Sequence, residues 1–416
     1  METIKALRGF RDVYGEEVEK LNLIEAASRH YFGLLGYREM QIPALEKTEL
    51  FRRSIGDTTD IVEKEMFTFT DRSGDSVTLR PEGTAGMVRA FLQGSLYARE
   101  RVSRLFTMGP MFRHERPQKG RFRQFSQISV EVFGVAEPII DAELIWMIHL
   151  ILKRLDVAGY VVEINSVGCR ECREGFRTGL VAFLRDKVER LCEDCTGRIE
   201  RNPLRIFDCK VPQCNEIIRE APVVFDFLCE GCRQHFDQCL GQLESFGVPF
   251  SVNKRLVRGL DYYTRTVFEV TSTELGAQNA FVAGGRYDNL VKEMGGPSVP
   301  GIGFAFGMER LASLMQRLPP RKEPAYFFAA VGERARLLLI PTLKAFAASD
   351  MQLAYAPAEA SLKSQMKYAA GLGADYVVIV GEEEVARGKA LVRDMRDGSQ
   401  REVELDPARL PGLVKS

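Results

Sequence analysis

The sequence predicts an α+β fold: a mainly antiparallel sheet flanked by helices, interrupted by a small helical, cysteine-rich insertion and followed by a C-terminal α/β domain. Three observations predict it. Up to about residue 318, strand-like stretches alternate with amphipathic helical ones, and several sit in hairpin-like pairs. All nine cysteines fall between Cys169 and Cys239. From about Glu323 the pattern turns to strand, helix, strand over ~100 residues, the size of a small domain. The expected boundaries are 1–168 with 246–318 for the main domain, 169–245 for the insertion, 319–324 for a linker and 325–416 for the last domain. A chain of 416 residues fits two or three domains at ~150 residues each.

The first element is an amphipathic helix from Val18 to Leu35, since Leu21, Ile24, Tyr31 and Leu35 fall on one face and Gly36 suits its end. Met66–Thr70 and Ser76–Arg80 predict a hairpin around Arg72-Ser73-Gly74-Asp75. Arg80-Pro81-Glu82-Gly83-Thr84 leads into a helix through Ala85, Val88, Phe91 and Leu92, with Thr84 as the expected N-cap. Arg104–Arg113 and Phe122–Phe133 predict two strands joined by a polar loop. In the second, Ile128, Val130 and Val132 share one face and Gln127, Ser129 and Glu131 the other. Taken alone, that alternation reads as a solvent-facing edge strand.

After the cysteine block come Arg258-Gly259-Leu260-Asp261-Tyr262-Tyr263, a strand at Thr266–Val270, and Ala283-Gly284-Gly285-Arg286-Tyr287-Asp288. Gly301–Gly307 alternates small and bulky residues, as a closely packed strand would, and Met308-Glu309-Arg310-Leu311 opens a helix. Pro319-Pro320-Arg321-Lys322-Glu323-Pro324 is the linker. Beyond it, Tyr326–Val331, Gln352–Tyr355 and Tyr376–Val380 are the strands of a βαβαβ unit. Pro341 should kink or stop the first helix, and Asp397-Gly398 predicts a closing hairpin.

Composition narrows the function classes. Apolar residues make up 45% and charged residues 27%, an ordinary globular balance far from that of a disordered chain. The 57 basic and 57 acidic residues cancel, so a polyanionic partner must be met by local basic patches. No basic start followed by an apolar run marks a secretory signal. Leu144–Leu152, the longest apolar stretch, is too short to span a bilayer. The expectation is a soluble, cytoplasmic protein. An odd count of cysteines in a chain this large argues for reduced thiols or metal rather than a disulfide scaffold.

The chemistry-bearing residues are arginines and buried polar groups. Arg113 and Arg258 sit at strand or loop ends, and Arg310 lies in the first turn of a helix, where a cation opposes the helix dipole unless an anion sits beside it. Guanidinium groups clamp phosphate and carboxylate oxygens and keep their charge, which suits phosphoryl or nucleotidyl chemistry. Each arginine singly is equally explained by a surface salt bridge. Glu82, Gln127 and Glu131 could face one cavity and hold an ammonium and a nitrogenous side chain, and such a polar pocket discriminates because a wrong ligand leaves its groups unpaired. No Ser-His-Asp relay, HExxH or phosphate-loop signature is present.

These motifs closely resemble those of class II histidyl-tRNA synthetases over nearly the whole chain, from Arg8-Gly9-Phe10-Arg11-Asp12 to the C-terminal domain. The resemblance is carried by Thr78-Leu79-Arg80-Pro81-Glu82-Gly83-Thr84, by Phe112-Arg113-His114-Glu115 of class II motif 2, by Arg258-Gly259-Leu260-Asp261-Tyr262-Tyr263, and by Gly307-Met308-Glu309-Arg310 of motif 3. A looser motif 1 lies around Tyr37–Ala44 and ends in Pro43, at what the family would make its dimer interface. The resemblance implies the class II antiparallel sheet, an anticodon-binding C-terminal domain and a homodimer. It also implies L-histidine, ATP with Mg²⁺ and tRNA(His) as substrates, and no membrane partner.

Residue by residue, the resemblance implies that Glu82, Gly83 and Thr84 hold the histidine ammonium with Gln127 beside them, that Glu131 and Tyr263 read the imidazole, and that Tyr262 lines the same pocket. Arg258 and Arg113 would be catalytic. Arg258 would touch the substrate carboxylate and the α-phosphate, Arg113 the α-phosphate, and Arg310 the γ-phosphate of a bent ATP. Glu115, Arg121 and Phe125 would frame the adenine end. The motif 2 loop, with Arg116, Gln118, Lys119, Arg121 and Arg123, would receive the tRNA acceptor end through phosphate contacts. Ser361–Lys367 resembles the family's anticodon-binding helix, with Lys363 and Lys367 toward tRNA. Ala358-Glu359-Ala360 stands before it in place of the expected glycine and basic residue.

Cys192-x-x-Cys195 and Cys229-x-x-Cys232 have the paired spacing of a tetrahedral zinc site, with Cys209 and Cys214 between them and Cys169-x-x-Cys172 upstream. The family needs no protein-bound metal for catalysis, so the preferred expectation is reduced, packed thiols and no metal is assigned. Two rival functions remain: a catalytically silent paralogue serving as the regulatory subunit of ATP phosphoribosyltransferase, and a non-enzymatic, zinc-dependent RNA-binding module built on the cysteine block.

Overall fold

The computed structural model describes every residue except 1, 2, 57, 58, 60, 117–119, 202, 210, 258–261, 277, 278, 317, 319–323, 358 and 416. The chain divides into two compact units, 1–318 and 319–416.

In the first unit, α1 (Glu16–Leu34) precedes β1 (Arg38–Glu39), β2 (Leu45–Lys47) and α2 (Thr48–Ile55). The hairpin β3 (Phe67–Thr70) and β4 (Ser76–Leu79) runs into α3 (Thr84–Gln93) and α4 (Leu96–Arg99). The long strands β5 (Ser103–Phe112) and β6 (Gln124–Phe133) are followed by α5 (Ile139–Arg154) and β7 (Tyr160–Ser166). The cysteine-rich segment folds as α6 (Arg170–Arg185), α7 (Glu193–Arg201), α8 (Pro212–Arg219) and α9 (Glu230–Ser245). Then come β8 (Ser251–Val252), β9 (Thr264–Ser272), β10 (Ala280–Arg286), α10 (Leu290–Glu293), β11 (Gly301–Gly307) and α11 (Met308–Ala312).

Eight strands form one sheet in the order β1-β5-β6-β11-β10-β9-β7-β8, antiparallel except for the parallel end pairs β1 with β5 and β7 with β8. Strand β6 is therefore central, which corrects the edge-strand reading. Its face carrying Ile128, Val130 and Val132 packs on α1 and α5, where Ile24, Phe32, Leu144, Ile148 and Ile151 join the main core. Each such fully buried side chain is worth roughly 1.5–3 kcal/mol in removal from water. The apolar run seen in the sequence is this helix α5, apolar nearly all round because both sides are covered, by the sheet and by α9. No described helix is long and apolar enough to cross a membrane.

Strand β11 shows why its sequence alternates. Ile302, Phe304 and Phe306 fill the core, whereas Gly303, Ala305 and Gly307 stand beside Glu131, Ser129 and Gln127 of β6 on the other face. Small residues there leave open space over the middle of the sheet. The expected N-cap is also corrected: Gly83, not Thr84, occupies that position of α3. The Glu82 carboxylate does the capping, accepting from the Thr84 amide at 2.7 Å and the Ala85 amide at 2.8 Å. These are two of the amides that an N-terminus leaves without helical partners.

The second unit contains β12 (Tyr326–Ala330), α12 (Glu333–Leu337), α13 (Leu339–Ala348), β13 (Leu353–Tyr355), α14 (Leu362–Gly371), β14 (Tyr376–Val380), α15 (Glu382–Arg387), β15 (Lys389–Asp394), β16 (Gln400–Glu404) and α16 (Leu410–Lys415). Its sheet runs β13-β12-β14-β15-β16, with the first three strands parallel and the last two joined as the expected hairpin. Tyr326 and Phe328 pack on one face with Phe346 and Leu410, while Phe327 and Ala329 pack on the other with Ala369. Pro341 stops a helix as expected: α12 ends at Leu337 and α13 begins two residues later. A proline ring would collide with the carbonyl four residues earlier in a continuous helix.

Candidate active site

The open face of the first sheet, roofed by the start of α3 and the β5–β6 loop, bounds a cavity of about 260 Å³. Glu82, Thr84, Arg113, Glu115, Arg121, Phe125, Gln127, Glu131, Tyr262, Tyr263 and Arg310 all line it. Gly83 is buried beside it, close against Ser129. Arg258 lies outside the described residues, as do Gln118 and Lys119. Arg116 is exposed, and Arg123 lies over Gly9, its guanidinium 3.4 Å from the carbonyls of Arg8 and Glu115. Lys363 and Lys367 are exposed on α14 of the second unit.

One end of the cavity is acidic and buried. Glu131 accepts a hydrogen bond from the Thr84 hydroxyl at 2.6 Å and another from the Tyr287 hydroxyl. It is 1% exposed, and burial pushes its carboxyl up to about 8, with the Thr84 and Tyr287 bonds pulling the other way. Glu82 is likewise raised by burial, offset by the two amides it caps. Burying a carboxyl this deeply carries a desolvation cost that a cationic or N–H-rich group in the space beside it would offset. Gln127 accepts from the Ser129 hydroxyl at 3.2 Å. Tyr262 lies over Tyr263 with ring centroids 4.7 Å apart and meets Tyr287 edge-on at 5.7 Å.

Two glycines permit this crowding. A Cβ on Gly303 would stand 1.7 Å from a Glu131 carboxylate oxygen, and one on Gly83 would stand 2.5 Å from the Ser129 hydroxyl. Tyr287 was given no role in the sequence, although it closes the far side of the Glu131 carboxylate. The only available signal was its place after Gly284-Gly285-Arg286.

The other end is cationic. Arg113 donates to the Pro81 carbonyl at 2.8 Å, lies over the Phe125 ring at 5.4 Å, and sits 3.7 Å from Glu115, which also takes a 2.7 Å bond from Arg121. Burial, then the nearby Arg121 charge, lowers the Arg310 guanidinium from its ordinary value. Three guanidinium groups thus meet around the Glu115 carboxylate, an arrangement that suits an anionic ligand. Glu269 and Glu309 also line this cavity. Glu309 accepts the Ser126 amide at 2.7 Å, and its other buried oxygen has no hydrogen-bond partner among the described residues.

Behind the site, buried Arg286 donates to Asp141 at 2.8 Å and to the carbonyls of Val135 and Glu137 at 3.0 and 2.9 Å. Asp141 is also 2.8 Å from His235 of α9. Burial alone would raise the Asp141 carboxyl, but Arg286 and His235 together hold it below the ordinary value. Sequence reasoning missed this link because its members lie 94 and 145 residues from Asp141.

The cysteines are grouped otherwise than their spacing suggested. Cys192 and Cys195 do not meet Cys229 and Cys232. Cys169, Cys172, Cys229 and Cys232 form one cluster and Cys192, Cys195, Cys209 and Cys214 a second, with the sulfurs of each within 4.8 Å of one another. The topology explains the correction, because α6 and α9 start side by side at the base of the segment while α7 and α8 fold together at its far end.

The family profile described as histidyl-tRNA synthetase matches residues 9–172 and 217–311. The chain belongs to the histidyl-tRNA synthetase family. A second profile, described as an anticodon binding domain, matches residues 343–409. The chain is 49% identical to the histidine–tRNA ligase of Desulfosudis oleivorans, covering 99% of this chain and 97% of that one, and 48% identical to that of Aquifex aeolicus, covering 97% and 99%. Among solved structures, the apo histidyl-tRNA synthetase of S. aureus superposes with a TM-score of 0.82 at 30% identity, covering 99% of each chain. A Bacillus halodurans structure described as an ATP phosphoribosyltransferase regulatory subunit/histidyl-tRNA synthetase shares the fold, with a TM-score of 0.67 at 20% identity, covering 92% of this chain and 99% of that one. The class II α+β architecture expected from the sequence is therefore the observed one.

Proposed function

We propose that the chain activates L-histidine with ATP to histidyl-adenylate and transfers the histidyl group to the 3′ end of tRNA(His). It is a histidine–tRNA ligase, an aminoacyl-tRNA synthetase. The observation that carries the chemistry is one cavity with a buried carboxylate end and a cationic end. The regulatory-subunit reading is not favoured, because the curated relatives it matches along their full length are ligases. The RNA-binding-module reading would leave this cavity without a task.

In this reading Glu82, Gly83, Thr84 and Gln127 receive the histidine ammonium, and Glu131 and Tyr263 the imidazole, with Tyr262 as wall. Arg113 holds the α-phosphate and Arg310 the γ-phosphate, while Glu115, Arg121 and Phe125 frame the adenine. Arg258 joins the α-phosphate by resemblance alone. ATP enters as its Mg²⁺ complex, and Glu269 and Glu309 offer the hard oxygen donors that Mg²⁺ takes. The histidine carboxylate attacks the α-phosphorus and pyrophosphate leaves. No general base is needed, because the carboxylate is already ionised at neutral pH. Fixed guanidinium groups stabilise the charge that builds on the phosphoryl oxygens, and they do so more in the transition state than in the ground state. The terminal ribose hydroxyl of tRNA then attacks the adenylate carbonyl and releases AMP.

The chain works in the cytoplasm as a homodimer through the segment around Tyr37–Ala44, whose Pro43 and Ala44, with adjoining Leu45, are exposed. Residues 169–245 serve as an insertion and 325–416 as the anticodon-binding domain. ATP–pyrophosphate exchange with each of the twenty amino acids, without tRNA, tests the reading. Exchange with histidine alone is expected. Exchange with none, from folded protein, would return the regulatory paralogue.

A further inference from the structure

Eight of the nine cysteines stand in two four-sulfur clusters. The ninth, Cys239, packs in the main core on α9. Packing alone does not explain the clusters: cysteines used as small apolar side chains have no reason to bring four sulfurs to one point. Disulfides do not explain them either, because all nine thiols are free and the sulfur–sulfur contacts, at 3.5 to 4.0 Å, are far longer than an S–S bond of about 2.05 Å.

The spacing instead matches a single tetrahedral metal ion. Four thiolates at a Zn–S distance of about 2.3 Å lie about 3.8 Å apart along the tetrahedron's edges. Here the Cys169 and Cys172 sulfurs are 3.5 Å apart, those of Cys169 and Cys229 4.0 Å, and those of Cys192 and Cys209 3.9 Å. Backbone amides are aimed at sulfur in both clusters: Cys229 at Cys172 over 3.1 Å, Cys192 at Cys214 over 3.2 Å, and Val211 at Cys209 over 3.4 Å. Ligand atoms of metal sites are commonly held in place by hydrogen bonds of this kind. Each cluster combines buried sulfurs with at least one that reaches the surface or nearly so, which leaves a path for metal.

We propose that the chain binds two structural Zn²⁺ ions, one through Cys169, Cys172, Cys229 and Cys232 and one through Cys192, Cys195, Cys209 and Cys214. Each site is closed by four protein ligands and has no open position for catalysis. The first clamps the starts of α6 and α9 at the root of the cysteine-rich segment, and α9 carries His235 to Asp141 behind the active site. The second ties together the short helices of the far end. Its core is small, and a small core gains most from a metal cross-link. All four of its ligands lie in residues 173–216, the stretch that the family profile passes over.

The test is metal content of the full-length protein, purified from zinc-supplied cells without chelator and measured by plasma mass spectrometry. The proposal expects two zinc ions per chain, both released by eight equivalents of an organomercurial. Cys169→Ser with Cys229→Ser should bring the content to one, and so should Cys209→Ser with Cys214→Ser. Zero or one zinc per wild-type chain, or iron in place of zinc, overturns it. The wild-type stoichiometry decides the matter even if the serine variants fail to fold. Because the readout needs no amino-acid activation, its failure is separate from failure of the proposed reaction.

Discussion

Glu131 concentrates the site's chemistry in one residue. Its carboxyl is raised from the ordinary 4.5 to about 8 by burial, so the native state binds more protons than the unfolded chain throughout that window. The stability it contributes is fully present below the unfolded value and is lost as pH rises to about 8. Glu131→Gln removes this dependence. Measured by urea unfolding from pH 5 to 9, the variant should gain on the wild type as pH rises, by roughly a few kcal/mol; parallel curves would refute the assigned burial cost. The same variant should raise the KM for histidine more than tenfold with a smaller change for ATP. Gly303 makes the complementary case, since an added Cβ meets both the Glu131 carboxylate and the Val130 carbonyl. Gly303→Ala should cost about 1–3 kcal/mol by overpacking, read as a lowered melting temperature together with weaker histidine binding.

At the level of elements, β6 and β11 were readable because alternation is a local property. Which face would be dry was not, because Ser129 and Glu131 are buried by α3, an element about 40 residues earlier in the chain. The α3 cap likewise falls to Glu82 rather than Thr84 because Thr84 turns its hydroxyl to Glu131. The link from Asp141 to Arg286 and His235 joins α5, β10 and α9. Asp141→Asn removes the nearer of the two carboxylates that face the buried Arg286 guanidinium, leaving Asp288 at 3.2 Å, and should cost about 3 kcal/mol in chemical denaturation, the low end for breaking a buried pair. A loss below about 1 kcal/mol would show that Arg286 is served well enough by Asp288 and the Val135 and Glu137 carbonyls.

Across the molecule, the proposed division of labour predicts separable defects. Lys363 and Lys367 lie on the second unit, whereas the activation cavity lies wholly within the first. Lys363→Ala with Lys367→Ala should lower kcat/KM for tRNA charging about tenfold or more and flatten its salt dependence, since each phosphate contact adds to that slope. Pyrophosphate exchange should stay at the wild-type level. A matching loss of exchange would remove these lysines from a tRNA role.

The sequence by itself determined the α+β class, the strands and helices that carry the site and the residue types around the cavity, because periodicity, turn chemistry and short motifs are written in neighbouring residues. Tertiary structure alone decided which thiols share a cluster, that β6 is central, and that Tyr287 and Arg286 stand against Glu131 and Asp141. Those facts depend on contacts between residues far apart in the chain. Local sequence carries no distance information at that range, and only close packing of the whole sheet with its helices fixes it.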